Sequence, residues 1–586
     1  MSFSSLRAGR QSKESKSFVN APSAAKEEST TLVPTKAVLS PASDSASSIA
    51  ELLYSTIPGF LEVRTTSEDG RGIWTKQGIK RGAALLSVKP HIHVLSTKNL
   101  EYFCSACIAP TPESGLKRCT RCRVVWYCSA TCQNNDWVTH KAECSAMQRW
   151  AAGAPSPDVA IPAEPIRALG RLLWRKQKQG LKSIWAREVD QMQSLRKSLP
   201  PLATESHTHL AHAVIRYLGL NAPGELGAFG IANAADIVDV ISRFTTNSFT
   251  LTSPSLNPLG VSVSPVVALI NHSCDPNAVV VFPRSSSNPS TQEPCMQVVA
   301  IRDIAPGEQV FTAYIDTTLP KLQRQMALES TYSFKCKCTL CSEVADTDLR
   351  ESVWCPKKCG GACPLPTEED PLTRCRKCKA VVIDTDAVLD AARIGQEALD
   401  KANALQFSDL PKALQLTTNI VPILTSANLT PASHPLLSLT RLHQSLLLAS
   451  FPPTLTQDAL DTVIRAASSS LAGLCTILRP GHPIRALAIA ELGKLLAVDE
   501  PSPATTPSPA GAFPPSGAPR LNLAYETLVK ARAELMVGFG EQNEGGEVGK
   551  EVREMIVRVE RELAAWKQGV KNVIEDTPAL QTGRRK

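Results

Sequence analysis

Short apolar blocks separated by polar turns mark the beginning of the folded chain. Residues 62–64 and Ala84–Val88 have the composition of short strands. Between them lie Gly70, Arg71 and Gly72, where the glycines permit either a simple turn or the close approach of a ligand to the backbone. Residues 1–54 are rich in Ser, Ala and Lys and show no periodic apolar face, so we expect a disordered tail there.

Helical periodicity dominates two later regions of the chain. Three apolar faces in residues 147–250 are Ile166, Leu169, Leu172 and Leu173; Leu210, Val214, Tyr217 and Leu218; and Ile237, Val240, Ile241 and Phe244. Four more after residue 381 are Leu416, Ile420 and Ile423; Leu439, Leu442 and Leu446; Ile484, Leu487, Leu492 and Leu495; and Leu528, Ala531 and Leu535. A Pro/Ser/Ala-rich segment at 500–519 is predicted to be a disordered linker.

A dense polar heptapeptide lies between two apolar runs in the middle of the chain. It reads Asn271-His272-Ser273-Cys274-Asp275-Pro276-Asn277. Residues 266–270 before it are predicted to be buried, and residues 279–282 after it to form a strand. A second strand is predicted at 296–301, with a variable surface loop at 284–294 between the two. A polar segment enclosed in this way is not expected for an ordinary surface loop.

Length and composition exclude several classes of protein. A chain of 586 residues exceeds one hydrophobic core, so we expect two to four domains. No apolar run is long enough to span a bilayer, and the N-terminus lacks the apolar segment of a secretory signal. The net charge of +8 permits acidic partners without requiring nucleic acid. Eighteen cysteines in such a chain favour metal ligation over disulfides.

Cysteine spacing predicts two zinc sites in residues 104–144. Their ligands are Cys104, Cys107, Cys119, Cys122, Cys128, Cys132, His140 and Cys144. Disulfides or an iron–sulfur cluster are the less favoured alternatives. A basic cluster within the segment is formed by Lys117, Arg118, Arg121 and Arg123. We interpret these cations as offsetting the thiolate charge, in preference to a nucleic-acid-binding patch.

A further cysteine cluster follows at 355–378. Cys355 and Cys359, then Cys375 and Cys378, flank a Gly-Gly pair and suggest another zinc site. Cys363 is a competing ligand, and unliganded cysteines are the alternative interpretation.

Three segments in order resemble the SET domain of protein lysine methyltransferases. They are the heptapeptide, Gly307-Glu308 with the strand that ends at Tyr314, and a tail with Cys336, Cys338 and Cys341. Residues 104–144 resemble a MYND finger, since Trp126-Tyr127 precedes Cys128 and Asp136-Trp137 precedes His140. Together these motifs resemble the SET and MYND domain-containing protein lysine methyltransferase family.

The resemblance implies an α+β multidomain fold. A β-rich SET domain is expected to be split by the zinc finger and a helical insert, and to be followed by a cysteine-rich post-SET zinc segment and an all-α tetratricopeptide-like domain. The implied boundaries are 55–100 for the first SET half, 101–146 for the finger, 147–250 for the insert, 251–330 for the second SET half, 331–380 for the post-SET segment and 381–586 for the helical domain.

The resemblance also groups the metal ligands, for three to four zinc ions in all. In the finger, Cys104, Cys107, Cys128 and Cys132 would hold one ion, and Cys119, Cys122, His140 and Cys144 the other. Cys274 of the heptapeptide would join Cys336, Cys338 and Cys341 around a third ion.

Residue roles implied by the resemblance centre on S-adenosylmethionine. Gly70, Arg71, Gly72 and Asn247 would hold its amino-acid end, Asn271 and His272 its adenine and ribose largely through backbone groups, and Phe334 its adenine face. The family often has Asn at the position of Arg71, and a helix-capping role is the alternative for Asn247. Tyr314 would be the catalytic residue beside the transferring methyl group, and Tyr332 would line the lysine channel.

The expected function is therefore S-adenosylmethionine-dependent N-methylation of lysines in histone or non-histone proteins. The alternative is a catalytically silent adaptor that holds Pro-rich peptides through the finger. Nucleic-acid binding is expected to be weak or absent, and a membrane partner is not expected. We expect a monomer that resides in the nucleus, the cytoplasm or both.

Overall fold

The computed structural model describes residues 53–284, 291–342, 348–451, 455–501 and 513–576. The expected tail up to residue 52 therefore lies outside the described residues, as do most of the 284–294 loop and of the 500–519 linker. No helix in the described ranges is long and apolar enough to cross a membrane.

Short strands build several small sheets. They are β1 (Leu61–Thr66), β2 (Gly70–Thr75), β3 (Ala84–Val88), β4 (Ile92–Leu95), β5 (Lys117–Arg118), β6 (Trp126–Tyr127), β7 (Ser248–Thr252), β8 (Pro258–Val263), β9 (Asn271–His272), β10 (Ala278–Val281), β11 (Met296–Ala300), β12 (Phe311–Thr312), β13 (Ser352–Trp354) and β14 (Ala362–Pro364). The sheets are β1-β2, β10-β11-β3, β4-β8-β7, β5-β6, β9-β12 and β13-β14. The strands predicted at 62–64 and 84–88 lie within β1 and β3. Those predicted at 279–282 and 296–301 match β10 and β11 except for their last residue, and the strand predicted to end at Tyr314 is reduced to the two residues of β12.

Helices occupy the insert and the C-terminal half. They are α1 (Ala130–Ala152), α2 (Glu164–Gln179), α3 (Ile184–Asp190), α4 (Pro201–Leu218), α5 (Ala234–Asn247), α6 (Lys321–Tyr332), α7 (Thr385–Leu405), α8 (Leu410–Ser426), α9 (His434–Ala449), α10 (Gln457–Ile477), α11 (Pro483–Leu496), α12 (Ala518–Gly538) and α13 (Gly546–Asp576). The three predicted apolar faces of the insert lie on α2, α4 and α5 and are buried, with only Leu210 partly exposed.

Two segments separated by the finger and the insert form one β-rich domain. β3 pairs with β11, so that Leu86 lies opposite Val298, and both side chains are buried. β4 pairs with β8, with Val94 opposite Val261. Because each half supplies strands to the same sheets, neither half can bury its apolar face alone.

A buried polar network joins the finger to the insert. The Arg171 guanidinium on α2 donates to Asp136 (3.2 and 3.3 Å) and to Glu143 (2.6 Å) on α1. It also donates to the carbonyl oxygen of His93 in β4, and Tyr127 donates to Asp136 at 2.8 Å. Burial alone would raise the pKa of Glu143, but the guanidinium overrides this and holds that pKa below its usual value. The finger is therefore fixed to the insert and to β4.

The C-terminal helices α7 to α13 pack mainly as sequential antiparallel neighbours. The face predicted for α8 was wrong, because Ile423 is 48% exposed whereas Ala413, Thr417 and Leu424 are buried. Small side chains let α8 approach α9, where the Thr417 hydroxyl lies 2.9 Å from Nδ1 of His443. Where two helices pack closely, the side chains between them must be small. The buried face of α8 is therefore not its most apolar face.

Two segment boundaries also differ from the expectation. α12 begins at Ala518, with a proline in its first turn, so the linker ends before residue 519. The end of the predicted surface loop is buried, since Glu293 is only 4% exposed and its carboxylate accepts from the backbone N–H of Cys295.

The helical domain contacts the β-rich domain around β10 and β11 and again at the heptapeptide. At the first, Val281 and Val299 enter the core of α10 to α13, and the buried amides of Gln297 and Asn543 bond each other. At the second, Arg479 after α10 forms a two-pronged ion pair with Asp275 of the heptapeptide, at 2.8 and 2.6 Å. The first contact is buried, whereas the second is partly exposed.

Replacement of Arg171 by Leu tests the network that joins finger and insert. We expect the free energy of unfolding to fall by about 3–5 kcal/mol, because Asp136 and Glu143 would remain buried without a counter-charge. Urea denaturation followed by tryptophan fluorescence measures it. Arg175→Leu on the same helix is the control, since that guanidinium contacts the carbonyl of His91 and the ring of Trp185 but no carboxylate. An equal loss in both variants would contradict the assignment.

Candidate functional site

Four groups of potential metal ligands assemble within the described residues. Within each group, the ligand atoms all lie within 4.8 Å of one another. The groups are Cys104, Cys107, Cys128 and Cys132; Cys119, Cys122, His140 and Cys144; Cys274, Cys336, Cys338 and Cys341; and Cys355, Cys359, Cys375 and Cys378. Three groups of four thiols and one of three thiols with an imidazole fit tetrahedral Zn²⁺. These are the groupings expected from the sequence, including the alternation within the finger.

The histidine of the second group is oriented by a carboxylate. Its Nδ1 lies 2.8 Å from Oε2 of Glu143, which leaves Nε2 facing Cys122 Sγ at 3.5 Å. A ligating imidazole commonly donates its other N–H to a carboxylate, which fixes both the tautomer and the ring orientation. Glu143 in turn is held by Arg171, so the network that joins finger and insert also supports this ligand.

The third group ties the tail at 336–341 to the heptapeptide. The Sγ atoms of Cys341 and Cys274 are 3.5 Å apart. The side chain of Gln325 on α6 bonds both the backbone N–H and the carbonyl of Cys336, at 3.0 and 2.8 Å. The fully buried Arg324 lies 3.9 Å from Cys341 Sγ and offsets thiolate charge. Sequence analysis missed Arg324 and Gln325, because nothing in the local pattern links α6 to the cysteines.

The fourth group lies in a ribbon formed by β13, β14 and the turns that carry the cysteines. Gly361 has no room for a side chain, since a Cβ there would stand 2.9 Å from Cys375 Sγ. Cys363, the competing ligand, is buried but outside the group. Cys295 and Cys475 also belong to none of the groups found in the described segments.

The short parallel pair β9-β12 brings the heptapeptide to Tyr314. The backbone N–H of Tyr314 donates to Nδ1 of His272 at 3.0 Å, and its hydroxyl donates to the carbonyl of Ile270 at 2.6 Å. Nε2 of His272 faces Cys274 Sγ at 3.3 Å. His272 therefore connects the backbone of Tyr314 to a thiol of the third metal group.

An aromatic cluster surrounds the Tyr314 ring. Tyr332 lies 4.9 Å from it between ring centroids, His272 5.3 Å and Phe334 6.5 Å. Burial raises the pKa values of Tyr314 and Tyr332 and lowers that of His272 to about 4. These side chains are therefore uncharged near neutral pH, and the cluster presents an apolar surface with hydroxyl groups.

The turn between β1 and β2 is fixed from two sides. The side-chain amide of Asn271 donates to the carbonyls of Asp69 and Arg71, at 3.2 and 3.1 Å. On the other side, the Arg71 guanidinium bonds the backbone carbonyl of Gln191 and, at 3.3 Å, its side-chain oxygen. The same guanidinium lies 3.5 Å from the Tyr54 hydroxyl. The Asn271 and Arg71 side chains therefore hold this turn in place.

Asn247 lies at the cavity, whereas Gly72 lies against two neighbouring side chains. Asn247 is the last residue of α5, and its amide donates to the carbonyls of Gln193 (2.8 Å) and Arg243 (2.7 Å). It also lines the cavity described next. Gly72, in β2, is not among the residues that line it. Its missing Cβ instead makes room for Gln309 and Trp74, which a side chain would meet at 2.6 and 2.7 Å.

One cavity of about 3060 Å³ connects the elements of the site. Its lining includes Gly70, Arg71, Asn247, Asn271, His272, Tyr314, Tyr332 and Phe334. The opposite wall is formed by the helical domain, with residues of α9, α10, α11 and α13. Gln191 and Gln193 also line it and were missed from the sequence, because they lie in an irregular segment without a motif.

Comparison with known proteins identifies the central segment. Residues 70–315 match the family description "SET domain". "Histone-lysine N-methyltransferase ASHR1" of Arabidopsis thaliana is 26% identical over 61% of this chain and 73% of its own length. "N-lysine methyltransferase SMYD2" of Gallus gallus is 32% identical over 49% of this chain and 60% of its own length. A solved structure of Rubisco LSMT bound to AdoMet matches at 13% identity with a TM-score of 0.28, covering 90% of this chain and 94% of that one, a likeness too low to carry an argument.

Metal content tests the four groups directly. We expect four zinc ions per chain by elemental analysis, because each group supplies a complete tetrahedral ligand set. Three ions would mean that the ribbon group is empty, and two or fewer would contradict the assignment. Cys295 and Cys475 should be free thiols, which thiol titration of the denatured protein measures.

Proposed function

We propose, since residues 70–315 match the SET domain, that the chain is an S-adenosylmethionine-dependent protein lysine N-methyltransferase. One observation carries the proposal above the others. The heptapeptide pairs in parallel with the strand before Tyr314, and this places His272, Tyr332 and Phe334 around the Tyr314 ring at the wall of a large cavity. The chain spans 73% of the plant relative and 60% of the chicken relative, so the activity is inferred for this chain from its own site.

The donor set around the cavity fits the proposed cofactor. The turn at Gly70 and Arg71 and the end of α5 at Asn247 offer a guanidinium and amide groups for an amino-acid end. Phe334 is 37% exposed and offers a ring face for an adenine. When bound, S-adenosylmethionine supplies an electrophilic methyl group. Since Arg71 already bonds Gln191, it would position the turn as well as offer positive charge.

The acceptor must be a neutral amine. A free lysine has a pKa near 10.4, so near neutral pH most of it carries a proton that must leave to solvent. The aromatic surface formed by Tyr314 and Tyr332 would disfavour the charged form by desolvation. The raised tyrosine pKa values and the pKa of about 4 at His272 make none of these groups a strong base near neutral pH. The site would therefore act through orientation and desolvation rather than through proton abstraction.

Tyr314 would orient the transferring methyl group. Its hydroxyl is already fixed by the bond to the carbonyl of Ile270, and its backbone is fixed by His272. Oxygens in this position can accept weak C–H···O contacts from a polarised methyl group. The substrate is proposed to be a lysine-bearing protein segment that enters between the SET sheets and the helical domain.

Tyr314→Phe is expected to lower methyl transfer at least about tenfold, or about 1.4 kcal/mol in the barrier. The loss should appear mainly in kcat, because the hydroxyl orients the reactants more than it binds the cofactor. Transfer of labelled methyl groups to lysines in a protein extract, followed by mapping of the modified residues, measures it. Tyr217→Phe is the matched control, since that buried hydroxyl has no hydrogen-bond partner among the described residues and lies outside the cavity. Unchanged turnover in the Tyr314 variant would remove it from this role.

Cys338→Ser tests whether the third metal group supports cofactor binding. We expect the loss of one zinc ion together with most of the affinity for S-adenosylmethionine, because Phe334 lies two residues before Cys336 and His272 contacts Cys274. Calorimetry and elemental analysis measure the two quantities.

Cys378→Ser is the matched control for that experiment. It should also cost one zinc ion, from the ribbon, but leave cofactor affinity intact, since no ribbon residue lines the cavity. If Cys338→Ser lost its zinc and still bound cofactor normally, the third group would be purely structural.

A further inference from the structure

The ribbon between the post-SET tail and the helical domain has no part in the proposed methyl transfer. It comprises β13, β14 and the two turns that carry Cys355, Cys359, Cys375 and Cys378. None of its residues lines the cavity. Val353, Cys363 and Cys375 are buried in one apolar cluster with α7 to α9, so the ribbon is fixed on the helical domain.

Each metal-binding turn of the ribbon places a lysine in the left-handed conformation. Lys358 has φ 51° and donates its backbone N–H to the carbonyl of Cys355, at 2.8 Å. Lys379 has φ 60° and donates in the same way to Cys375, at 2.9 Å. Glycine is the residue that this conformation favours, because an L side chain is strained there. Glycine could therefore replace either lysine without disturbing its turn.

Positive charge is concentrated at the metal-binding end of the ribbon. The exposed cations are Lys357, Lys358, Arg374, Arg376, Lys377 and Lys379. A Zn²⁺ held by four thiolates has a formal charge of about −2, so these six cations exceed what the metal centre requires. The excess distinguishes this end from a cluster that only offsets thiolate charge.

The acidic residues of the ribbon belong to its opposite end. Glu368, Glu369 and Asp370 follow Leu365, whose backbone N–H donates to the carbonyl of Glu351. The bond from Cys355 N–H to the carbonyl of Gly361 marks the metal-binding end. Four residues of extended chain separate Glu351 from Cys355, which corresponds to about 13 Å. Salt screens charges over about 8 Å at physiological ionic strength, so carboxylates farther away than this offset the basic end only weakly.

An exposed aromatic residue directly precedes the first metal-binding turn of the ribbon. Trp354 directly precedes Cys355 and is 47% exposed, although its backbone N–H is bonded to the carbonyl of Asn428. Its strand is therefore fixed while its ring remains accessible. A row of cations beside an accessible aromatic ring is the combination with which proteins bind single-stranded nucleic acid.

We propose that the metal-binding end of the ribbon binds single-stranded nucleic acid. Lys357, Lys358, Lys377 and Lys379 would contact consecutive phosphates, and Trp354 would stack on an unpaired base. The ring favours an unpaired base over a carboxylate side chain or a duplex, since only an unpaired base offers its full π-face. The total charge of +8 gave little reason to expect such a partner. Phosphate binding depends on the local density of cations rather than on the total charge, because salt screens interactions between distant charges.

Lys358→Gly combined with Lys379→Gly is the central test, in the full zinc-loaded chain. We expect at least about fivefold weaker binding of a fluorescein-labelled oligouridine of about 12 nucleotides. The plot of log affinity against log salt should become less steep by about 1.4, or about 0.7 for each phosphate that the variant no longer neutralises. Fluorescence anisotropy between about 50 and 200 mM salt measures both quantities. Zinc content should be unchanged and the melting temperature should not fall, because glycine suits both positions.

Two further variants test the proposed stacking on Trp354 and the effect of removing charge elsewhere in the chain. Trp354→Ala should weaken binding at least about fivefold with an unchanged salt slope, since it removes a stacking surface but no charge. Lys117→Ala combined with Arg123→Gly removes two charges from the finger, where Arg123 occupies the equivalent left-handed position with φ 53°. This control should weaken binding less than about twofold.

Several results would overturn the proposal. The first is absence of oligouridine binding by the unaltered chain at low salt. Another is unchanged affinity in the Lys358/Lys379 variant, or an equal loss in the finger control. Binding of a duplex or of poly-glutamate as tightly as oligouridine would also overturn it, because neither presents unpaired bases to Trp354.

Discussion

The site depends on the burial of a polar segment that can be satisfied only by distant parts of the chain. Asn277 is fully buried, and its amide donates to the carbonyl of Gln309 while its oxygen accepts from the backbone N–H of Phe311. Asn271 bonds the turn between β1 and β2, and His272 bonds the backbone of Tyr314. A buried polar group without a partner costs about 1–3 kcal/mol, so the heptapeptide is stable only when these segments meet around it. Its burial therefore assembles the site.

Metal binding and charge compensation act together in this architecture. Closely spaced thiolates repel one another. Buried guanidinium groups lie near two of the thiolate groups and offset their negative charge. Arg324 contacts Cys341 of the third group, and Arg171 supports the second group through Glu143. Each arginine also bonds a second element, Asp348 in one case and β4 in the other. The metal groups are thereby integrated into the domain instead of forming independent modules.

The helical domain completes the cavity through two contacts of different character. The contact at Gln297 and Asn543 is buried and continuous with an apolar core, whereas Arg479 and Asp275 form an exposed ion pair. An exposed pair contributes little stability, typically below about 1 kcal/mol, and weakens with salt. The buried contact therefore fixes the domain on the SET sheets. The ion pair adds a direct link between the helical domain and the heptapeptide beside Cys274.

Features that depend on local spacing could be predicted from the amino-acid sequence alone. Cysteines two or three residues apart predict metal-binding turns, and apolar residues at helical spacing gave the buried faces of α2, α4 and α5, because both depend on neighbours within one or two turns of chain. The partnership of Cys274 with the tail came from resemblance to a family, since no local rule joins residues more than sixty positions apart. The exposure of Ile423 and the close packing of Trp74 against Gly72 depend on tertiary contacts and were visible only in the folded structure. The bond from Arg71 to Gln191 was likewise visible only there, because close approach and hydrogen bonding between distant segments leave no periodic trace in the sequence.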